Sequence, residues 1–198
     1  MMEIKDLIRE NIKSLEAYSS ARDEFKAMSS EFVFIDANEN PFDTGLNRYP
    51  DPQQTLVKEA LSKLKGISEE QILLGNGSDE VLDLIFRAFC EPNQDSVISF
   101  PPTYGMYGVL ANLNAIETIQ VPLTKSFQLE VDRILSKVKS NTKLVFICSP
   151  NNPSGNTADR AAVERLLNAF NGLVIIDEAY IDFADEVSWI EQLDFYPN

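Results

Sequence analysis

Short strand-like runs recur along the chain from residue 72 onward, at 72–74 (ILL), 97–100 (VISF), 116–121 (IETIQV), 144–148 (LVFIC) and 173–176 (LVII). Each has the length of a strand rather than of a helix. Between them, apolar residues return every three or four positions near 78–90, 103–112, 130–138 and 159–170, which predicts amphipathic helices. Strands alternating with helices predict an α/β fold, a mostly parallel sheet with flanking helices. Upstream, Ile4, Leu7, Ile8, Ile12 and Leu15 carry a helical period, and FVFI at 32–35 reads as a short strand. After Tyr49-Pro50-Asp51-Pro52, a helix is expected from about 52 to 65, ended by Gly66.

In such sheets ligands bind beyond the carboxyl ends of the strands, so the residues directly after each run are the informative ones. The first run is followed by Gly75-Asn76-Gly77-Ser78-Asp79-Glu80, then a helix. The glycines permit a sharp turn, and the Ser/Asp pair offers N-cap chemistry. That stretch reads either as an ordinary capped helix start or as an anion cradle for a phosphate. It is not a Rossmann fingerprint, which needs glycine where Glu80 stands.

The second run ends in Phe100-Pro101-Pro102-Thr103-Tyr104-Gly105-Met106-Tyr107. Tyr104 at the sheet edge is either a packing residue or a cover for a flat ring. The fourth run ends in SPNNPSG, residues 149–155, which reads as a plain turn or as a means of presenting an Asn amide. Its Asn152-Pro153 bond is a candidate for a cis peptide. The last run ends in Asp177-Glu178-Ala179-Tyr180, and a carboxylate beside a buried strand requires a cation or a proton donor. A magnesium-binding Walker strand is excluded as the reason, because no Gly-Lys pair exists anywhere to make the accompanying phosphate loop.

Composition narrows the chemistry further. The chain of 198 residues has 17 basic and 31 acidic residues, a net charge of −14 that argues against a nucleic-acid surface. It contains no histidine, so histidine triads, histidine general bases and histidine metal ligands are all excluded. No run is long enough for a membrane span, and MMEIKDLIRENIKSLEAY lacks the apolar core of a secretory signal. Cys90 and Cys148 lie in apolar surroundings, as suits buried thiols in a reducing cytoplasm. Four strand ends then supply an anion cradle, an aromatic face, an amide and a carboxylate. A planar, phosphorylated, nitrogen-containing ring would use all four.

GNGSDE, FPPTYGMY, CSPNNPSG and IIDEAYIDF, in this order and spacing, resemble the pyridoxal-phosphate-dependent aminotransferases of the aspartate aminotransferase fold. ANENPF, NRYP and RAFCEPNQD resemble, within that family, the subgroup that moves an amino group between glutamate and imidazole-acetol phosphate in histidine biosynthesis. Threonine-phosphate decarboxylases share much of the pattern, and aromatic aminotransferases are a further alternative. The resemblance implies pyridoxal 5'-phosphate as cofactor and a set of residue roles. Gly77 with the backbone N–H groups of Ser78 and Asp79 would hold the phosphate, and Tyr104 would stack on the ring. Asn152 and Tyr180 would bond the ring's phenolic oxygen, and Asp177 the protonated ring nitrogen. Tyr49 would reach the cofactor of the other subunit of a homodimer, and Tyr18 and Asn40 would border the substrate pocket.

The resemblance also implies a Schiff-base lysine downstream of DEAY, followed by arginines that recognise the substrate. The last lysine of this chain is Lys143, upstream of SPNNPSG. The expectation is therefore of an N-terminal portion of a longer enzyme, inactive by itself, or else a non-catalytic dimerising fragment. Residues 1–47 would form an arm and part of the small domain, and 48–198 the first part of the cofactor-binding large domain. No metal is implied.

Overall fold

A computed structural model describes residues 4–16, 18, 35 and 37–198. The chain divides into two compact units, one of residues 14–74 and one combining 1–13 with 75–198.

In the larger unit, α1 (Ile4–Leu7) and α2 (Glu10–Lys13) precede α4 (Ser78–Phe89), and α3 (Thr55–Lys65) belongs to the smaller unit. There follow β1 (Ser96–Ser99), α5 (Met106–Leu113), β2 (Glu117–Gln120), α6 (Val131–Leu135), β3 (Thr142–Cys148), α7 (Arg160–Ala169) and β4 (Leu173–Asp177). The strands form one parallel sheet in the order β2-β1-β3-β4. Connections leave β1 toward β2 on one side, while β3 lies on its other side. A switch point therefore falls between β1 and β3, where α/β sheets open a crevice at their carboxyl edge.

Both sheet faces are covered, which is why the strands read as continuous apolar runs. Val97, Leu144 and Phe146 point to one face, against Leu82 and Phe86 of α4 and Tyr107 and Leu110 of α5. Ile98, Val145 and Ile147 point to the other, against Ile134 of α6 and Val163 and Leu166 of α7. On the first face the rings of Phe86, Phe146 and Tyr107 stack in series, at 5.1 and 5.0 Å between centroids. At the opposite end of the strands, the buried hydroxyls of Ser96 and Thr142 satisfy each other at 3.0 Å.

Several expectations change. The run at 72–74 is not a strand. Among the described residues no strand lies beside it, and an extended segment without a ladder partner is not a strand. The helix expected from 103 begins at Met106, because the preceding residues form the loop that carries Thr103 and Tyr104. The helix expected to reach 138 ends at Leu135, where the Ser136 hydroxyl donates to the Arg133 carbonyl at 2.7 Å and competes with the helical pattern. The N-terminal period breaks into two single turns instead of one helix, with Ile8 and Arg9 between them. There the Arg9 backbone N–H donates to the Ala88 carbonyl at 3.0 Å and its side chain bonds Glu91, so the segment follows the end of α4 instead of its own axis.

The smaller unit contains α3 (Thr55–Lys65), closed by Gly66 at φ 71°. It starts three residues later than expected because Asp51 accepts from the N–H groups of Gln53 and Thr55, both at 2.8 Å, and so forms a turn first. A capping box between Ser68 and Gln71 follows. Residues 32–34 of the expected FVFI strand lie outside the described residues. Among the described residues, no helix is long and apolar enough to cross a membrane.

Candidate active site

The three strand-end motifs after β1, β3 and β4 meet the N-terminus of α4 at the carboxyl edge of the sheet and bond to one another and to it. Asp177 ends β4 opposite Cys148 of β3, on the same sheet face as Leu173 and Ile175 by the two-residue alternation of a strand. Its Oδ1 accepts the Ala179 N–H at 3.1 Å, and its Oδ2 accepts the Tyr107 hydroxyl at 2.8 Å. Each oxygen retains a lone pair for a further donor.

Tyr107 is 1% exposed and stands in the first turn of α5, and Tyr104, in the loop before that helix, meets it edge to face at 5.6 Å. Burial, then the Asp177 charge, push the Tyr107 phenol far above the ordinary tyrosine value, so it remains a donor. The Tyr104 hydroxyl donates to Asp79 Oδ1 at 3.0 Å. That hydrogen bond, ahead of burial and the charges of Asp79 and Asp177, raises the Tyr104 pKa. Tyr180, exposed after β4, adds the smallest contribution to the same rise.

Helix α4 begins at Ser78, and its N-cap is Gly77 at φ 78°, with no side chain capping it. This corrects the expected N-cap role of the Ser78/Asp79 pair. Both residues are already inside the first turn, and the positive φ with an extended ψ of 170° at residue 77 suits only glycine. Gly75 is needed for a different reason, since a Cβ there would lie 2.8 Å from Val81 Cγ2. The helix N-terminus thus presents backbone N–H groups, as an anion site requires.

Within SPNNPSG the two asparagines differ. Asn151 is buried; its Oδ1 accepts from the Thr103 hydroxyl at 2.8 Å and its Nδ2 donates to the Pro102 carbonyl at 3.0 Å and Ser154 Oγ at 2.6 Å. It ties the loop after β3 to the loop after β1. Asn152 is half-buried, and its backbone N–H faces the Cys148 sulfur. Asn152-Pro153 is cis, as are Ser149-Pro150 and Pro101-Pro102.

Sequence reasoning missed Tyr107 and Asn151. Tyr107 carried a usable signal, since with Leu110 and Ala111 it forms the i, i+3, i+4 apolar set of that helix. Asn151 carried none, because adjacent asparagines in a turn are equivalent on paper. Tyr18, Asn40 and Tyr49 belong to the smaller unit, where all three are exposed. There Glu39 accepts from Arg48 at 2.7 Å and from the Tyr49 N–H at 2.8 Å, and Asn40 Oδ1 accepts from the Phe42 N–H at 3.0 Å. Lys143 is the second residue of β3. At ~3.3 Å per residue it stands roughly 20 Å from the loop after that strand.

This donor set fits pyridoxal phosphate: an anion site at Ser78, an aromatic face at Tyr104, an amide at Asn152 and a fixed carboxylate at Asp177. Residues 25–198 match the family described as aminotransferase class I and II, and the chain belongs to that family. A histidinol-phosphate aminotransferase of Flavobacterium johnsoniae is 60% identical over 197 residues, covering 99% of this chain and 56% of that protein. One of Bacteroides thetaiotaomicron is 52% identical, covering all of this chain and 57% of that protein. The chain therefore spans little more than half the length of these curated relatives. Among solved structures, a Sinorhizobium meliloti histidinol-phosphate aminotransferase in complex with pyridoxal-5'-phosphate is similar with a TM-score of 0.63 at 27% identity, covering 69% of this chain and 38% of that one.

Proposed function

We propose that this chain is part of a pyridoxal-phosphate-dependent aminotransferase that moves an amino group between glutamate and imidazole-acetol phosphate, a reaction of histidine biosynthesis. The observation that carries the reading is the Asp177 carboxylate, held at the sheet edge by one hydrogen bond on each oxygen. The names of relatives 60% and 52% identical support the substrate pair. Pyridoxal phosphate supplies an electron sink for bond breaking at the substrate's α-carbon.

This chain's residues bind and tune that group. Gly77 and the N–H groups of Ser78 and Asp79 hold the phosphate, and Tyr104 covers the ring. Asp177 keeps a proton on the ring nitrogen, while Asn152 and Tyr180 bond the phenolic oxygen. Tyr49 reaches the cofactor of a second subunit in a cytoplasmic homodimer, and Tyr18 and Asn40 border the substrate. Residues 48–198 begin the cofactor-binding domain, and 1–47 form an arm with part of the small domain. The Schiff-base lysine falls to the part of the longer relatives that this chain does not span.

Kinetics of the full gene product test the reading. With pyridoxal phosphate added, kcat/KM for histidinol phosphate should exceed that for phenylalanine by about tenfold or more, a difference of about 1.4 kcal/mol. Carbon dioxide release from phosphothreonine, or a preference for phenylalanine, overturns the substrate assignment.

A further inference from the structure

Tyr107 is a buried tyrosine whose hydroxyl reaches the carboxylate that ends a strand 70 residues later, Asp177 Oδ2, at 2.8 Å. A buried tyrosine usually finds a hydrogen-bond partner, and here that partner is a charged side chain at the strand end. Here the ring is immobilised as well, stacked on Phe146 at 5.0 Å with the planes 17° apart. Phe146 is itself fully buried in β3, and Phe86 backs it from α4. The hydroxyl is therefore presented from a position set by three stacked rings. Asp177, by contrast, is half-buried at the strand end, with only the neighbouring Ala179 N–H on its other oxygen. A carboxylate bonded by Ala179 alone could rotate toward solvent.

We propose that Tyr107 is a positioning residue for Asp177: its hydroxyl, anchored through the Phe146 stack, fixes the carboxylate orientation that directs the remaining lone pairs into the crevice at the sheet edge. This rests on the reading that Asp177 partners a ring nitrogen. Tyr107 is almost wholly buried, so it acts only through the orientation and charge of its acceptor. A hydrogen bond to an ionised partner is about twice as strong as a neutral one, so its loss should be measurable.

The test uses the full gene product loaded with pyridoxal phosphate labelled with 15N in the ring. Tyr107→Phe keeps the stacked ring and removes only the hydroxyl. The expected variant melts within a few degrees of the parent and shows a ring 15N resonance shifted toward the neutral form. Its kcat should fall about tenfold with little change in KM. A 15N shift and a kcat within about twofold of the parent overturn the proposal while leaving the assignment of Asp177 standing. A parent protein that binds no pyridoxal phosphate, or binds it with a neutral ring nitrogen, overturns that assignment and the proposal with it.

Should the variant fail to fold, the parent labelled with 13C at the tyrosine ζ carbon gives an independent reading. The Tyr107 resonance must move when pyridoxal phosphate is added, because the shared carboxylate then accepts less from it. A resonance unmoved by saturation with the cofactor overturns the proposal.

Discussion

The Oδ1 of Asn151 accepts the Thr103 hydroxyl at 2.8 Å, which joins the loop after β3 to the loop after β1 across the switch point of the sheet. The two loops carry Asn152 and Tyr104, so their spacing depends on an asparagine that faces inward. Asn151→Ala should cost about 1–3 kcal/mol, since it leaves the Pro102 carbonyl and the Thr103 hydroxyl without their partner. Asn152→Ala should change stability by less than about 0.5 kcal/mol but weaken pyridoxal phosphate binding. Urea unfolding with cofactor titration of both variants separates the roles, and equal stability losses contradict the division.

Asp177→Ala should retain measurable pyridoxal phosphate while lowering turnover by about two to three orders of magnitude, the scale of a lost electrostatic partner at a reacting centre. Steady-state kinetics of the loaded variant provide the check. Near-normal turnover is incompatible with the role assigned to this carboxylate.

Phe146→Ala should destabilise by about 3–5 kcal/mol, as expected for truncating a fully buried aromatic. Phe146 has Tyr107 stacked on one side and Phe86 on the other, so the cavity opens beneath the support of Asp177. Calorimetry measures the loss. A cofactor affinity that falls together with stability, relative to a buried truncation on the other face such as Val163→Ala, would connect the stack to the site.

Stability should fall at alkaline pH. Burial, then the Asp95 charge, push the Cys90 thiol up to about 12, and burial also raises Cys148. The native state therefore holds protons that the unfolded chain releases above about 8.5, and stabilisation present below that pH is lost as pH rises toward 12. The slope is at most about 1.4 kcal/mol per pH unit for each thiol. Urea midpoints between pH 7 and 10.5 should decline, and Cys90→Ala should reduce the slope whatever its effect on the absolute value. A slope unchanged by Cys90→Ala would contradict the assignment.

Much of this was legible from local pattern. Four strands, the α4 and α7 helices and the carboxyl-edge location of the three motifs that follow β1, β3 and β4 come from short-range periodicity and from Gly and Pro punctuation. Parity within LVIID even assigns Asp177 to the face of Leu173 and Ile175. The run at 72–74 shows the boundary of such reasoning. An apolar triplet states a preference for extension, but only a neighbouring backbone can make it a strand.

The sequence by itself determined the elements, the family resemblance and which residue types stand at the sheet edge, because those are carried by neighbours within a few positions. Only the tertiary structure decided that the strand order is β2-β1-β3-β4, that Asn151 faces inward while Asn152 does not, and that Tyr107 holds Asp177. The last two depend on groups 48 and 70 residues apart being brought within 3 Å, the strand order on equally distant backbone pairs, and local periodicity contains no information about which distant donor a given acceptor will meet.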